Sequence, residues 1–117
     1  MAIATGKRTQ KYLYEEDDNI RSVIEKEIER LGSHADLNHI DLSEVTDLSS
    51  LFTDLDFDGD ISKWDVSHIT DMSHMFERSN FNGDISSWDV RNVRKHDGCF
   101  DGSPLENQPH KQPKFIP

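Results

Sequence analysis

A single cysteine, Cys99, leaves the chain unable to form an internal disulfide. No apolar run approaches the length needed to span a bilayer, and the opening residues through Arg8 turn polar too early for the apolar core of a secretory signal. A soluble, cytoplasmic protein is therefore expected. Cations are scarce: 13 Lys and Arg face 23 Asp and Glu, a formal charge of −10. Such a balance repels nucleic acid and anionic membrane and favours basic partners or cations. The sequence also lacks a Ser-His-Asp order, a phosphate-cradling Gly loop and a paired-carboxylate cleft, so no catalytic residues and no enzyme are expected. His96 and Cys99 have no second Cys/His pair to complete a zinc site. The four prolines, Pro104, Pro109, Pro113 and Pro117, all fall near the C-terminal end and bar a continuing helix or interior strand, which sets off residues 106–117 as a tail.

The acidity is concentrated. Residues 37–89 carry two Lys/Arg against twelve Asp/Glu, whereas residues 1–36 carry six against eight and residues 90–117 five against three. That acidic stretch lies within a segment, 37–105, that repeats itself. Residues 61–69, Ile-Ser-Lys-Trp-Asp-Val-Ser-His-Ile, return 24 positions later as Ile-Ser-Ser-Trp-Asp-Val-Arg-Asn-Val, and the same step backward reaches Leu37 to Val45. In the middle copy the apolar positions are Ile61, Trp64, Val66, Ile69, Met72, Met75, Phe76 and Phe81. A fixed period of this length signals stacked units that bury their apolar faces against one another.

The opening apolar-x-x-apolar-x-apolar of each copy has the spacing of a leucine-rich-repeat strand, Thr70 to Phe76 reads as one or two helical turns, and Asp58-Gly59-Asp60 and Asn82-Gly83-Asp84 read as turns back. The expected fold class is an α/β repeat: a short, leucine-rich-repeat-like solenoid with a three-stranded parallel sheet. Polar residues at inward positions of the third copy, such as His96, mark the end of the stack.

Ahead of it, Ile20, Val23, Ile24, Ile28 and Leu31 share one helical face, acids at positions 15–18 complement the helix N-terminus, and Gly32 offers a C-cap. Residues 17–36 are thus an N-terminal amphipathic capping helix and its connection, and residues 1–16 a flexible arm.

Residues Gly59 to Phe76, Gly-Asp-Ile-Ser-Lys-Trp-Asp-Val-Ser-His-Ile-Thr-Asp-Met-Ser-His-Met-Phe, resemble the BspA-like bacterial surface-protein repeat, a relative of the leucine-rich repeats. The resemblance covers residues 37–102. It implies a right-handed solenoid that binds other macromolecules, commonly at cell surfaces, and implies no enzymatic activity.

Two constellations could carry binding. With Ile61, Trp64 and Val66 inward, the residues between them face out, so His39, Asp41, Lys63, Asp65, Ser87, Asp89 and Arg91 form the expected partner-binding stripe. Asp41, Asp65 and Asp89 would stand about 5 Å apart on adjacent strands. Their like charges either serve a basic protein partner or accept hydrogen bonds from nearby backbone amides. The second constellation, Asp54 to Asp65, places acids at Asp54, Asp56, Asp58, Asp60 and Asp65 around Gly59 in the order of an EF-hand calcium loop. The second copy interrupts that order with Arg78, and the flanking long helices are missing, so the repeat itself accounts for most of the motif. No cofactor is expected.

The leading expectation is a non-enzymatic protein–protein interaction module with an acidic surface. An acidic, nucleic-acid-mimicking inhibitor of a nucleic-acid-binding enzyme and a calcium-binding module are the alternatives.

Overall fold

Aspartate dictates the local structure of the repeated segment. An Asp side chain can accept a hydrogen bond from the amide two residues ahead, closing a tight turn that competes with strand pairing. Among the described residues, eight aspartates do this. Oδ1 of Asp36, Asp41, Asp47 and Asp60 accepts from the N–H of Asn38, Ser43, Ser49 and Ser62 at 2.8–2.9 Å. Asp65, Asp71, Asp84 and Asp89 accept in the same way from Ser67, Ser73, Ser86 and Arg91 at 2.9–3.2 Å.

The computed structural model describes the backbone of Ile3–Ala4 and residues 19–116. Two strands of two residues each, β1 (Ile3–Ala4) and β2 (Ile40–Asp41), pair in parallel. The flexible-arm expectation for residues 1–16 otherwise lies outside the described residues. Helix α1 spans Ile20–Leu31; Asn19 caps it by accepting from the Ser22 amide, and Gly32, at φ 98°, ends it with its N–H on the Ile28 carbonyl. Val23 and Ile24 are buried while Leu31 is exposed. None of the described helices is long and apolar enough to cross a membrane.

The expected three-stranded parallel sheet of a leucine-rich-repeat-like solenoid does not form. Within residues 36–105 the described residues hold one two-residue strand, β2, and three isolated parallel bridges, Asp36 with Asp60, Asp47 with Asp71, and Asp71 with Lys95. The expected helical turns at 70–76 are also absent as a helix. The apolar-x-x-apolar spacing closes four-residue turns instead: the N–H of Trp64, Ile69 and Met75 donates to the carbonyl of Ile61, Val66 and Met72. Both apolar ends of such a turn point inward, so the pattern that suggested a strand is satisfied by consecutive turns. The molecule is a small globule of 40 × 27 × 20 Å.

Residues 24 apart nevertheless face each other. The N–H of Leu48, Ser50, Phe52 and Asp54 donates to the carbonyl of Asp71, Ser73, Met75 and Glu77 at 2.7–3.0 Å, and Met72, His74, Phe76 and Arg78 repeat this onto Lys95, Asp97, Cys99 and Asp101 at 2.8–2.9 Å. Their side chains build aromatic rows. Phe76 stacks between Phe52 at 5.3 Å and Phe100 at 5.8 Å, Phe57 lies 6.1 Å from Phe81, and Trp64 lies 6.2 Å from Trp88. Each buried indole still finds an acceptor, Trp64 Nε1 on the Leu37 carbonyl and Trp88 Nε1 on that of Ile61. The backbone turns left-handed at Ser50, Asp54, His74 and Arg78, and at the equivalent third-copy positions glycine, Gly98 and Gly102, takes that conformation. Two 3-10 turns, Pro104–Asn107 and Pro109–Lys111, then lead Phe115 back to the last aromatic row, 6.4 Å from Phe100.

Candidate interaction surface

The turn-forming aspartates fall into columns, because the turns recur every 24 residues. Asp36, Asp60 and Asp84 form one and Asp41, Asp65 and Asp89 a second; Asp47, Asp71 and Lys95 form a third, with the basic residue last. Ser62 Oγ and Ser86 Oγ add a second donor to Asp60 and Asp84, at 2.7 and 2.6 Å. Ser67 Oγ does the same for Asp65 at 2.7 Å. The Ser62 amide, then its hydroxyl, hold the Asp60 carboxyl below the usual carboxylate range, and the Ser86 hydroxyl and amide do the same for Asp84. Asp65 is lowered by the Ser67 hydroxyl and amide, Asp71 chiefly by the Ser73 amide, and Asp89 first by the Arg91 side chain, against the like charge of Asp65. An open groove of about 440 Å³ runs between the turns at Gly59–Ser62 and Gly83–Ser87 and is lined by Asp60, Ser62, Asp84 and Ser86. Asp60, Asp65, Asp84 and Asp89 are exposed and Asp41 is half-buried. The arrangement is a fixed anionic surface: its carboxylates are oriented by the backbone they cap.

The expected stripe is only partly assembled. Lys63, Asp65, Ser87, Asp89 and Arg91 are exposed, with Arg91 paired to Asp89 at 3.0 Å. His39 is turned toward α1, where its Nε2 lies 2.6 Å from Oε1 of Glu27. Glu27, only 1 % exposed, also accepts from Arg30 at 2.8 and 3.0 Å. Sequence reading missed this buried carboxylate, since Glu27 looks like one more charge on a polar helix face and His39 is 12 residues away. It also missed the columns at Asp36, Asp60 and Asp84 and at Asp47 and Asp71; the recurring Asp-x-Ser spacing was the signal that could have found them.

The calcium candidates are drawn apart. Asp54 binds the Arg78 guanidinium through both oxygens at 2.7 and 2.9 Å, Asp56 accepts from Asn80 Nδ2, and Asp58 accepts from the Asn82 amide. Asp60 and Asp65 close their own turns. Among the described residues no group of three or more His, Cys, Asp or Glu is placed to hold a metal ion. Cys99 is buried, burial pushes its thiol up to about 12, and His96 stacks on Phe115 at 4.1 Å. A protonated, enclosed thiol is an inert one.

The chain belongs to the family described as Mycoplasma protein of unknown function, DUF285, which matches residues 19–115. No curated protein and no solved structure matches it.

Proposed function

We propose that the chain is a non-enzymatic protein–protein interaction module that offers its aspartate columns to a basic surface of a partner. The observation that carries this reading is the double use of each aspartate. In Asp60, Asp65 and Asp84 one oxygen is spent on the turn, which orients the carboxylate and holds its pKa below the usual range, while the group stays at the surface. Carboxylates already held in place lose little side-chain entropy when a Lys or Arg meets them, so preorganisation adds to the long-range attraction. The resemblance of Gly59 to Phe76 to the BspA-like repeat supports a binding role as well.

The turns decide which variant tests this. Reversing charge at Asp41, Asp65 and Asp89 would remove three backbone caps together with the charge, whereas asparagine keeps the Oδ1 acceptor. The triple variant Asp41→Asn, Asp65→Asn, Asp89→Asn should therefore fold, bind a partner captured with the wild-type protein more weakly, and show a flatter dependence on salt. Undiminished binding by the folded triple variant would refute the proposal.

A further inference from the structure

We infer that the backbone edge at residues 96–102 is a docking site for an extended, acid-headed peptide segment of another protein. The chain shows twice how such an edge is covered. Residues 48, 50, 52 and 54 donate their N–H groups to alternate carbonyls of the segment Asp71 to Glu77, and residues 72, 74, 76 and 78 donate to those of Lys95 to Asp101. The third edge should donate from His96, Gly98, Phe100 and Gly102. Gly102 is satisfied by Glu106 Oε1 at 2.9 Å, but among the described residues no acceptor meets the N–H of His96, Gly98 or Phe100. A row of open amides is a template for pairing with an added chain.

The surroundings define the occupant. A groove of about 330 Å³ lies along the edge, lined by Cys99, Phe100, Gln112 and Phe115, with the carboxylates of Asp101 and Glu106 away from Lys95 in sequence. Phe115 closes the aromatic row at a tilt of 38°, so an added segment must displace this ring to set its own aromatic residue on Phe100. Lys95 heads the edge and is exposed; inside the molecule its parallel neighbour is Asp71, which makes an acid the complementary residue on the open side. A second copy of the chain is a poor fit. Its matching carbonyls would be those of residues 47, 49, 51 and 53, and Arg21 of α1 already donates to that of Leu51 at 3.3 Å. The occupant is thus a segment of a different protein with an acid at its head, alternate carbonyls free and an aromatic residue five positions on, the pattern of Asp71 and Phe76. This site shares only Lys95 with the third column and stands or falls without the carboxylates of the columns.

The test uses the full chain and a synthetic peptide with the sequence of residues 71–79, read by amide hydrogen exchange. In the free protein the amides of His96, Gly98 and Phe100 should exchange freely, and saturating peptide should slow each by about tenfold, the worth of one hydrogen bond. A peptide carrying Asp71→Lys should bind several-fold more weakly. Phe115→Ala should bind the parent peptide more tightly, with protection of the Phe76 amide reporting that it remains folded. Protection of the three amides in the free, dilute protein would overturn the assignment, as would no slowing at millimolar peptide. Protection that grows with protein concentration alone would place a second copy there and overturn it too.

Discussion

Truncating Phe76 to alanine tests the central packing claim. The ring is wholly buried and lies between Phe52 at 5.3 Å and Phe100 at 5.8 Å, with Phe81 at 4.9 Å and Trp88 at 6.4 Å. Neighbours on every side leave the cavity little room to collapse, so the cost belongs in the full range for a buried phenylalanine, about 3–5 kcal/mol. For a domain of this size each kcal/mol lowers the melting temperature by about 4–8 °C, which predicts a fall of more than about 12 °C. Phe115 is the control. It ends the same row but is partly exposed, so Phe115→Ala should cost less than about 2 kcal/mol. Urea unfolding followed by tryptophan fluorescence measures both, because Trp64 and Trp88 are buried beside the row. A wild-type midpoint for Phe76→Ala, or a larger loss for Phe115→Ala, would refute the stacking argument.

Gly59 and Gly32 should respond to alanine in opposite degree. A Cβ at Gly59 would sit 1.9 Å from the Ala35 carbonyl oxygen and 2.6 Å from the Phe57 ring, so Gly59→Ala should lose more than about 3 kcal/mol; Gly32→Ala meets open space and bears only the cost of its positive φ, about 1–3 kcal/mol. Equal urea midpoints for the two variants would contradict the tight turn at Gly59. Lowered carboxyl pKa values at Asp60, Asp65, Asp71, Asp84 and Asp89 fix the sign of the acid response. These groups bind protons more readily unfolded than folded, so their stabilisation is complete above the unfolded value, about pH 4, and is lost as pH falls through the lower folded values. Unfolding midpoints that stay constant from neutral pH into strong acid would count against the caps.

The apolar rows were legible because inward residues must repeat in any stack: Ile61, Trp64, Val66, Ile69, Met72, Met75, Phe76 and Phe81 are all buried. The backbone that carries them was not. Apolar-x-x-apolar fits a strand or a four-residue turn equally, and the aspartate at the head of each unit decides by capping an amide that a ladder would otherwise use. On α1, Val23 and Ile24 follow from periodicity, whereas burial of Glu27 depends on His39, a residue outside the helix that no periodicity links to it. The outward stripe followed from the assumed strand, so it placed Asp65 and Asp89 at the surface but also His39, which the fold turns toward the helix.

Turn chemistry alone does not account for the charge in the columns. Asparagine would offer the same acceptor to the amide two residues ahead, and the chain uses asparagine where a side-chain donor is also needed: Asn80 to Asp56, and Asn92 to the Ser67 carbonyl. An ionised acceptor strengthens each cap, while neighbouring carboxylates in a column repel, as Asp65 does Asp89. These two effects oppose each other within one measurement, the stability of the triple asparagine variant. If Asp41→Asn, Asp65→Asn, Asp89→Asn is as stable as the parent or more so, repulsion equals or exceeds the gain in the caps, and folding gives no reason for the charge. Its remaining physical use then lies outside the molecule, at a basic partner. A marked loss of stability would instead assign the charge to the turns, and the surface would be acidic as a consequence of how the chain folds.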